Sequence, residues 1–220
     1  MSKLNTIRFF PHLTILATVI YFLSASIWAT STDFESKLNA VQSMQADFKQ
    51  VVYDDRNKAV QSSLGSMSFV RPGKFRWQVK KPIPQLIIAN GTTLWIYDPD
   101  LQQVVVQTLQ KAVGETPALL LSHVSTTIEK DFFVTASPPT TDGVRWFELK
   151  PRKKESMFAL MRLGFKQNQI QAMQLQDQLG HITKIQFSHA AVNHPIPDST
   201  FTFKAPSGVD VIDETRKKPS

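Results

Sequence analysis

The sequence predicts a mainly β fold of the α+β class, in which one strongly curved antiparallel sheet carries helices on its concave face. Apolar and polar residues alternate along most of the chain, as from Phe75 to Val79, and this period of two is typical of half-buried strands. Short turn signals such as Asn90-Gly91 separate the alternating segments, and tight turns join antiparallel neighbours. Helical spacing is confined to a segment near residue 33 and to the middle of the chain. No βαβ unit recurs, so a parallel sheet is not expected.

The first helix is predicted from the spacing of Phe34, Leu38 and Val41, which fall on one face at intervals of four and three. Asp33 can cap its first turn. The period changes to two from Met44 onward, so the first strand should follow directly. About ten strands are expected in all, each bounded by turn residues.

A second helical segment interrupts the strands between residues 111 and 131. Thr116 can cap a helix whose first residue is Pro117, because proline suits the first helical position. Ala118 and the run Leu119, Leu120, Leu121 follow. We expect this short segment to pack against the sheet.

Residues 1–29 are predicted to be a cleaved signal peptide. Lys3 and Arg8 form a basic start, an uncharged, mostly apolar run extends from Leu13 to Ala29, and small residues near its end favour a cut after Ala29. The alternative is an uncleaved anchor, but a spanning helix needs roughly 20 apolar residues and this run is on the short side. Residues 30–220 would then form a single domain with a large core.

The composition narrows the possible functions. There is no cysteine, so the chain can carry neither a disulfide nor the thioether-linked lipid of a bacterial lipoprotein. The net charge is +7, but the basic residues are scattered apart from clusters at 152–154 and 216–218, and export argues against nucleic acid as a partner. Phe is abundant at 15 residues against 3 Tyr, which favours a greasy interior without hydrogen-bonding groups.

Catalytic signatures are missing from the sequence. The histidines lack metal-ligand spacing, no glycine-rich phosphate loop follows a strand, and no Gly-x-Ser-x-Gly elbow occurs. The neighbouring carboxylates Asp54 and Asp55 would point apart, so they do not make an acid/base pair. We therefore expect no catalytic residue, no metal, no cofactor and no enzymatic activity.

Four blocks of the sequence carry a resemblance to a known family. They are VRPGKFRW at 70–77, IANGTTLWIYDP at 88–99, GETPALLL at 114–121 and FTFKAPSGVDV at 201–211. In this order, behind a signal peptide and without cysteine, they resemble the periplasmic outer-membrane lipoprotein carrier (LolA) family. The resemblance extends from about residue 33 to 213.

The resemblance implies an incomplete, half-open β-barrel with α-helices as a lid over an apolar cavity. It also implies a monomeric periplasmic chaperone that binds the acyl chains of lipoproteins. Such a carrier receives its cargo from an inner-membrane ATP-driven releasing complex and passes it to an outer-membrane receptor. Two alternatives remain open at this point: a lipid-binding or sensing module of the same fold without shuttle activity, and a secreted hydrolase.

The resemblance assigns roles to individual residues. Arg71 would be the latch that hydrogen-bonds to lid backbone and closes the empty cavity; the alternative is an arginine in a surface salt bridge. Phe75 would lie near the cavity mouth, where the carrier contacts its cargo and the inner-membrane partner. Trp77 and Trp95 would form the cavity wall. The alternative for these aromatic residues is an ordinary core.

Leucines of the central segment and apolar residues of the first helix would line the inner side of the lid: Leu119, Leu120, Leu121, Phe34, Leu38 and Val41. Ala118 departs from the family, which often has a larger apolar residue there.

Overall fold

The computed structural model describes residues 22–112, 117–122, 128–153 and 156–215, with the side chains in these ranges except those of residues 22–29 and 117. The prediction of a signal peptide therefore falls mostly on residues outside this description, as do the cap expected at Thr116 and the basic cluster at 216–218. Within the described residues, no helix is long and apolar enough to cross a membrane.

Twelve strands form one open, curved sheet. The strands are β1 (Ser43–Tyr53), β2 (Ala59–Val70), β3 (Lys74–Lys81), β4 (Gln85–Asn90), β5 (Thr93–Asp98), β6 (Gln103–Thr108), β7 (Phe132–Ala136), β8 (Arg145–Pro151), β9 (Phe158–Lys166), β10 (Gln169–Asp177), β11 (Ile182–Val192) and β12 (Asp210–Asp213). The helices are α1 (Phe22–Ala40) and the single turn α2 (Leu109–Ala112), and 3₁₀ turns lie at Pro117–Leu121, Ile128–Lys130 and Asp198–Phe201.

The order of strands across the sheet is β12, β6, β5, β4, β3, β2, β1, β11, β10, β9, β8, β7. All neighbours are antiparallel except β12 and β6, which are parallel. The mainly β class and the open curved sheet were predicted correctly. The parallel pair was not expected; it arises because residues 193–209 cross the sheet before β12 begins, so β12 does not follow its neighbour through a tight turn.

The inner face of the sheet is the face whose side chains form the main hydrophobic core. The predicted alternation from Met44 to Phe48 is confirmed, since Met44, Ala46 and Phe48 all belong to this core. Helix α1 packs on the same face through Phe34, which lies 5.3 Å from Phe147 between ring centroids. Arg145 pairs with Asp33 at 2.8 Å and ties the helix to β8.

A glycine allows the closest approach within this core. Gly65 on β2 lies directly opposite Phe48 on β1, and the ring of Phe48 covers it. A Cβ atom at Gly65 would lie 2.4 Å from Cζ of Phe48 and 2.2 Å from the backbone oxygen of Gln78. Phe48 in turn stacks on Trp77 with ring centroids 3.8 Å apart. The missing side chain at Gly65 is therefore a requirement of the packing.

The outer face carries a second, smaller apolar cluster. Phe203, in the crossing segment, packs against Trp95 and Tyr97 of β5, with ring centroids 6.3 and 5.8 Å away. Phe201 ends a 3₁₀ turn and the following residues are irregular, although Phe201 and Phe203 alternate with polar residues as in a strand. The segment pairs with no strand because it lies across the outer surface of the sheet.

Candidate ligand cavity and its closure

A cavity of about 360 Å³ opens on the inner face, at the end of the sheet where β1 ends and β11 begins. Its apolar wall comes from six residues: Trp77, Val79, Ile87, Ala118, Leu175 and Ile185. Its other lining residues are Gln50, Gln61, Ser63, Ile83, Gln85, Asp98 and Thr183, so polar groups and one exposed isoleucine mix with the apolar wall. The arrangement can hold an apolar group against the wall while the polar groups stay near water.

The opposite end of the inner face is filled with side chains. Phe34, Phe75, Leu119 and Leu121 are completely buried there. Phe34 also meets Phe165 edge to face, with centroids 6.2 Å apart. The interior is therefore open at one end and closed at the other.

Trp77 and Phe75 occupy different positions relative to this cavity. Trp77 is 6 % exposed and forms part of the cavity wall. Phe75 stacks parallel to Trp77 at a centroid distance of 6.2 Å, is fully buried and does not line the cavity. The mouth position expected for Phe75 is not seen, because β3 runs from the filled end towards the mouth and Phe75 stands near its start.

The residues predicted to line the lid all reach the inner face. Leu119, Leu120 and Leu121 lie in the 3₁₀ turn at 117–121, and this turn also places Ala118 against the cavity. Three further residues, Phe34, Leu38 and Val41, belong to the same core from the α1 side. The elements over the inner face are thus α1 and a short 3₁₀ turn, since the central segment does not form a longer α-helix in its described part.

Trp95 is not brought together with the other predicted site residues. Leu94 belongs to the main core and Ile96 packs against it, so the alternation turns Trp95 to the outer face. There it is half-buried against Phe203. The expectation that Trp95 forms the cavity wall does not agree with this position.

Arg71 directly follows β2 and is buried, with 7 % of its surface exposed. Its Nε donates a hydrogen bond of 2.8 Å to the carbonyl oxygen of Val41, which follows α1, and its backbone N donates to the oxygen of Gln42 at 2.9 Å. Two residues further on, the backbone N of Gly73 donates to the oxygen of Ser122 at 2.9 Å. The Arg71 turn therefore joins both closing elements to the sheet.

Burial lowers the pKa of the Arg71 guanidinium to about 10, because desolvation disfavours the charged form. The group still carries its charge at neutral pH. Hydrogen bonds from a buried cation to backbone oxygens are stronger than those between neutral groups. This environment differs from the surface salt bridge considered as the alternative for Arg71.

Asn193 holds the same junction from the other side and was missed by the sequence analysis. Its Oδ1 accepts hydrogen bonds from the backbone N of Gln42 at 2.8 Å and of Ser43 at 3.3 Å. Its Nδ2 donates to the oxygen of Ala40 at 2.8 Å. About 150 residues separate the partners in sequence, so no local pattern could have indicated the contact.

Replacing Asn193 with Gly is expected to loosen the junction between α1 and β1. Gly tolerates the positive φ of 59° at this position but loses the three side-chain hydrogen bonds. We expect a loss of about 1–3 kcal/mol in the free energy of unfolding, measured by urea denaturation. Asn57→Gly is the matched control, because Asn57 has a φ of 61° in an exposed turn. Equal losses in both variants would show that the side chain of Asn193 is unimportant.

Among the described residues, no three His, Asp or Glu side chains stand close enough to hold a metal ion. The arrangement is that of an apolar container, with a mouth at one end and two closing elements tied to the sheet near Arg71. Fold and cavity together define a protein of the class that encloses apolar ligands in a half-open sheet.

Comparison with known proteins gives the family. Residues 39–204 match the family described as outer membrane lipoprotein carrier protein LolA. The chain belongs to this family. The outer-membrane lipoprotein carrier protein of Methylobacillus flagellatus is 39 % identical over 203 residues, covering 90 % of this chain and 98 % of that protein. The carrier of Legionella pneumophila strain Corby is 43 % identical over 178 residues, covering 81 % and 87 %.

Solved structures add a more distant likeness. The crystal structure of a LolA superfamily protein from Nitrosomonas europaea aligns with a TM-score of 0.46 at 13 % identity, covering 79 % of this chain and 98 % of that one. MucB aligns with a TM-score of 0.48 at 13 % identity, covering 84 % and 66 %.

Proposed function

We propose that this protein is a periplasmic chaperone that binds the acyl chains of lipoproteins and carries them to the outer membrane. The observation that carries the proposal is the apolar cavity on the inner face, beside a lid that Arg71 ties to the sheet. Membership of the lipoprotein carrier family supports it. The relatives from Methylobacillus and Legionella are both named outer-membrane lipoprotein carrier protein.

The free energy of hydration explains the need for such a container. Burying one methylene group is worth about 0.8 kcal/mol. Transferring an acyl chain of ordinary length into water therefore costs on the order of 10 kcal/mol. The carrier must offset this cost and still release the chain. A wall of adaptable apolar side chains meets both needs better than a cavity of fixed complementary shape.

The lid has to move for the cavity to take a full set of acyl chains. Typical small-molecule sites enclose roughly 300–1,000 Å³, and the cavity of about 360 Å³ is near the lower end. Further room can be made where α1 and the 117–122 turn pack on the inner face. In our proposal, loading displaces these elements, breaks the bond from Arg71 to Val41 and exposes the inner side chains of the lid to the acyl chains.

The proposal assigns the following course to the chain. The signal peptide is removed after Ala29, and residues 30–220 act as a single monomeric domain without enzymatic activity or cofactor. An inner-membrane ATP-driven complex loads the carrier, and an outer-membrane receptor unloads it. Phe75 and Trp77 then contact acyl chains in the opened state.

The experiment is the release of lipoproteins from spheroplasts by the purified mature protein. We expect lipoproteins to leave the membrane as a soluble one-to-one complex and to pass to outer-membrane vesicles that contain the receptor. Release without delivery would favour a lipid-binding module of the same fold. Failure to release any lipoprotein would contradict the carrier function.

Filling the cavity at Ala118 is expected to weaken acyl binding. Ala118 lines the cavity on the lid side, so the ring of Ala118→Phe would occupy space that a chain needs. Excluding two methylene groups would cost about 1.6 kcal/mol, or roughly a tenfold higher dissociation constant for a fluorescent fatty acyl probe. Ala59→Phe, at an exposed position on β2, should bind the probe normally. Unchanged affinity in Ala118→Phe would place the acyl chain elsewhere.

A further inference from the structure

A trough of about 460 Å³ crosses the outer face, on the side of the sheet opposite the ligand cavity. Its axis follows one row of directly paired residues on five adjacent strands, from β1 to β8: Lys49, Gln186, Ala172, Gly164 and Trp146. Ala172 has the smallest side chain of the row's residues that line the trough, so the floor is low at that position. The ring of Trp146 leans over Gly164, where a Cβ atom would lie 3.2 Å from it. The trough is therefore bounded by Lys49 at one end and Trp146 at the other.

Three exposed lysines surround the trough: Lys49, Lys166 and Lys184. Among the described residues, none of the three lies within 4.0 Å of a carboxylate oxygen. Lys184 instead places its Nζ 4.6 Å from the ring centroid of Tyr53, a cation–π contact. Cations that share one depression repel each other unless an anion joins them.

One carboxylate lines the trough, so the lining carries a net charge of +2. Asp142 accepts hydrogen bonds from the hydroxyl of Thr140 and the backbone N of Val144. Those bonds, with the attraction of Lys166, lower the pKa of its carboxyl group. Asp142 therefore stays ionised and offsets one of the three lysine charges, so the potential of the trough comes from the remaining excess of two positive charges.

The shape favours an extended chain over a compact anion. Adjacent strands are about 4.8 Å apart, so a row across five strands is about 19 Å long and matches roughly six residues of extended peptide. Lys49 and Lys184 stand on the adjacent strands β1 and β11, whereas Lys166 stands on β9, so the three cations are spread along the trough. Side-chain amides of Gln171, Gln174 and Gln186 also line the trough, and each can both donate to and accept from a peptide backbone.

We propose that the outer trough binds an extended acidic segment of a partner polypeptide. The lysines neutralise its carboxylates, the glutamine amides pair with its backbone, and Trp146 and Tyr53 cover its apolar atoms. Since the trough and the ligand cavity lie on opposite faces, a partner can bind here while the cavity is loaded. This inference is independent of the proposed function.

The test uses a short peptide of alternating Glu and Ser, with the Gln-for-Glu peptide as the neutral control, at physiological ionic strength. Binding is followed by the fluorescence of Trp146, and the signal change should vanish in Trp146→Phe. The triple variant Lys49→Gln/Lys166→Gln/Lys184→Gln is expected to bind the acidic peptide about tenfold more weakly, since three exposed charge pairs are lost. The control triple Lys58→Gln/Lys80→Gln/Lys81→Gln removes the same charge from exposed positions outside the trough.

Equal weakening in both triple variants would overturn the proposal, because it would reduce the effect to net charge. Equal binding of the acidic and neutral peptides would also overturn it. A third contrary result is failure of the acidic peptide to bind while anionic phospholipid vesicles do bind through the same lysines. Circular dichroism and thermal unfolding of each variant establish that the fold is retained.

Discussion

Replacing Arg71 with Leu is expected to give a protein that accepts lipoproteins but fails to deliver them. In the closed state Nε of Arg71 donates to the carbonyl oxygen of Val41, and the guanidinium is buried. Hydrogen bonds to charged groups contribute about 1.5–3 kcal/mol, and removing them destabilises the closed, empty state. The balance between loaded and empty carrier should therefore shift towards the loaded state by roughly tenfold to a hundredfold.

The measurement separates loading from delivery. Lipoprotein release from spheroplasts gives the first step, and transfer from the purified complex to receptor-containing vesicles gives the second. Arg76→Leu is the matched control, because Arg76 lies on the outward side of β3 and donates two long hydrogen bonds, of 3.4 Å to the backbone oxygen of Thr200 and of 3.3 Å to Oε1 of Gln78, neither of which reaches α1 or the 117–121 turn. Arg71→Leu should load normally and transfer at least about tenfold more slowly, whereas the control should do both. Normal transfer by Arg71→Leu would disprove the latch.

The largest expected effect on stability follows substitution of Gly65 by Ala. The new methyl group would meet the backbone oxygen of Gln78 at 2.2 Å and the ring of Phe48 at 2.4 Å. Phe48 cannot turn away freely, because it is buried and stacked on Trp77. Overpacking a core typically costs 1–3 kcal/mol, and a clash with backbone places this variant at or above about 3 kcal/mol.

Urea denaturation of Gly65→Ala measures this loss directly. Ser62→Ala, at an exposed position on the same strand, should change the free energy of unfolding by less than about 0.5 kcal/mol. Because Trp77 lines the cavity, the shift of Phe48 should also alter tryptophan emission and weaken acyl binding. A Gly65→Ala protein as stable as the parent would mean that β1 and β2 separate easily.

Local periodicity was sufficient to predict most of the strands and the presence of the first helix. It did not give the start of that helix, because α1 begins at Phe22 and the expected cap Asp33 lies inside it, paired with Arg145. The spacing of Phe34, Leu38 and Val41 indicated which residues of α1 reach the core, and all three do. Alternation shows which residues share a face, but it does not show which face encloses a cavity when both faces are covered. Trp95 is the example, since the crossing segment at 193–209 buries the outer side of β5 with Phe203.

The remaining features depend on contacts between distant parts of the chain. Asn193 joins residues about 150 positions away, and the outer trough depends on the register that aligns Lys49, Gln186 and Ala172 on neighbouring strands. The resemblance to the family supplied Arg71, whose burial and bond to Val41 no spacing argument predicts. Neither the size of the cavity nor its restriction to one end of the sheet could be read from composition, because both follow from how tightly the aromatic side chains pack.

The most direct test of the account is to locate a bound acyl chain by cross-linking. A lipopeptide with a photoactivatable group at the end of its acyl chain is loaded onto the carrier, irradiated and mapped by mass spectrometry. The account predicts adducts on inner-face residues such as Trp77, Ile87 and Leu175, with none on Trp95 or Phe203 of the outer face. Adducts confined to the outer face, or equal labelling of both faces, would contradict the claim that the inner cavity shelters the acyl chain.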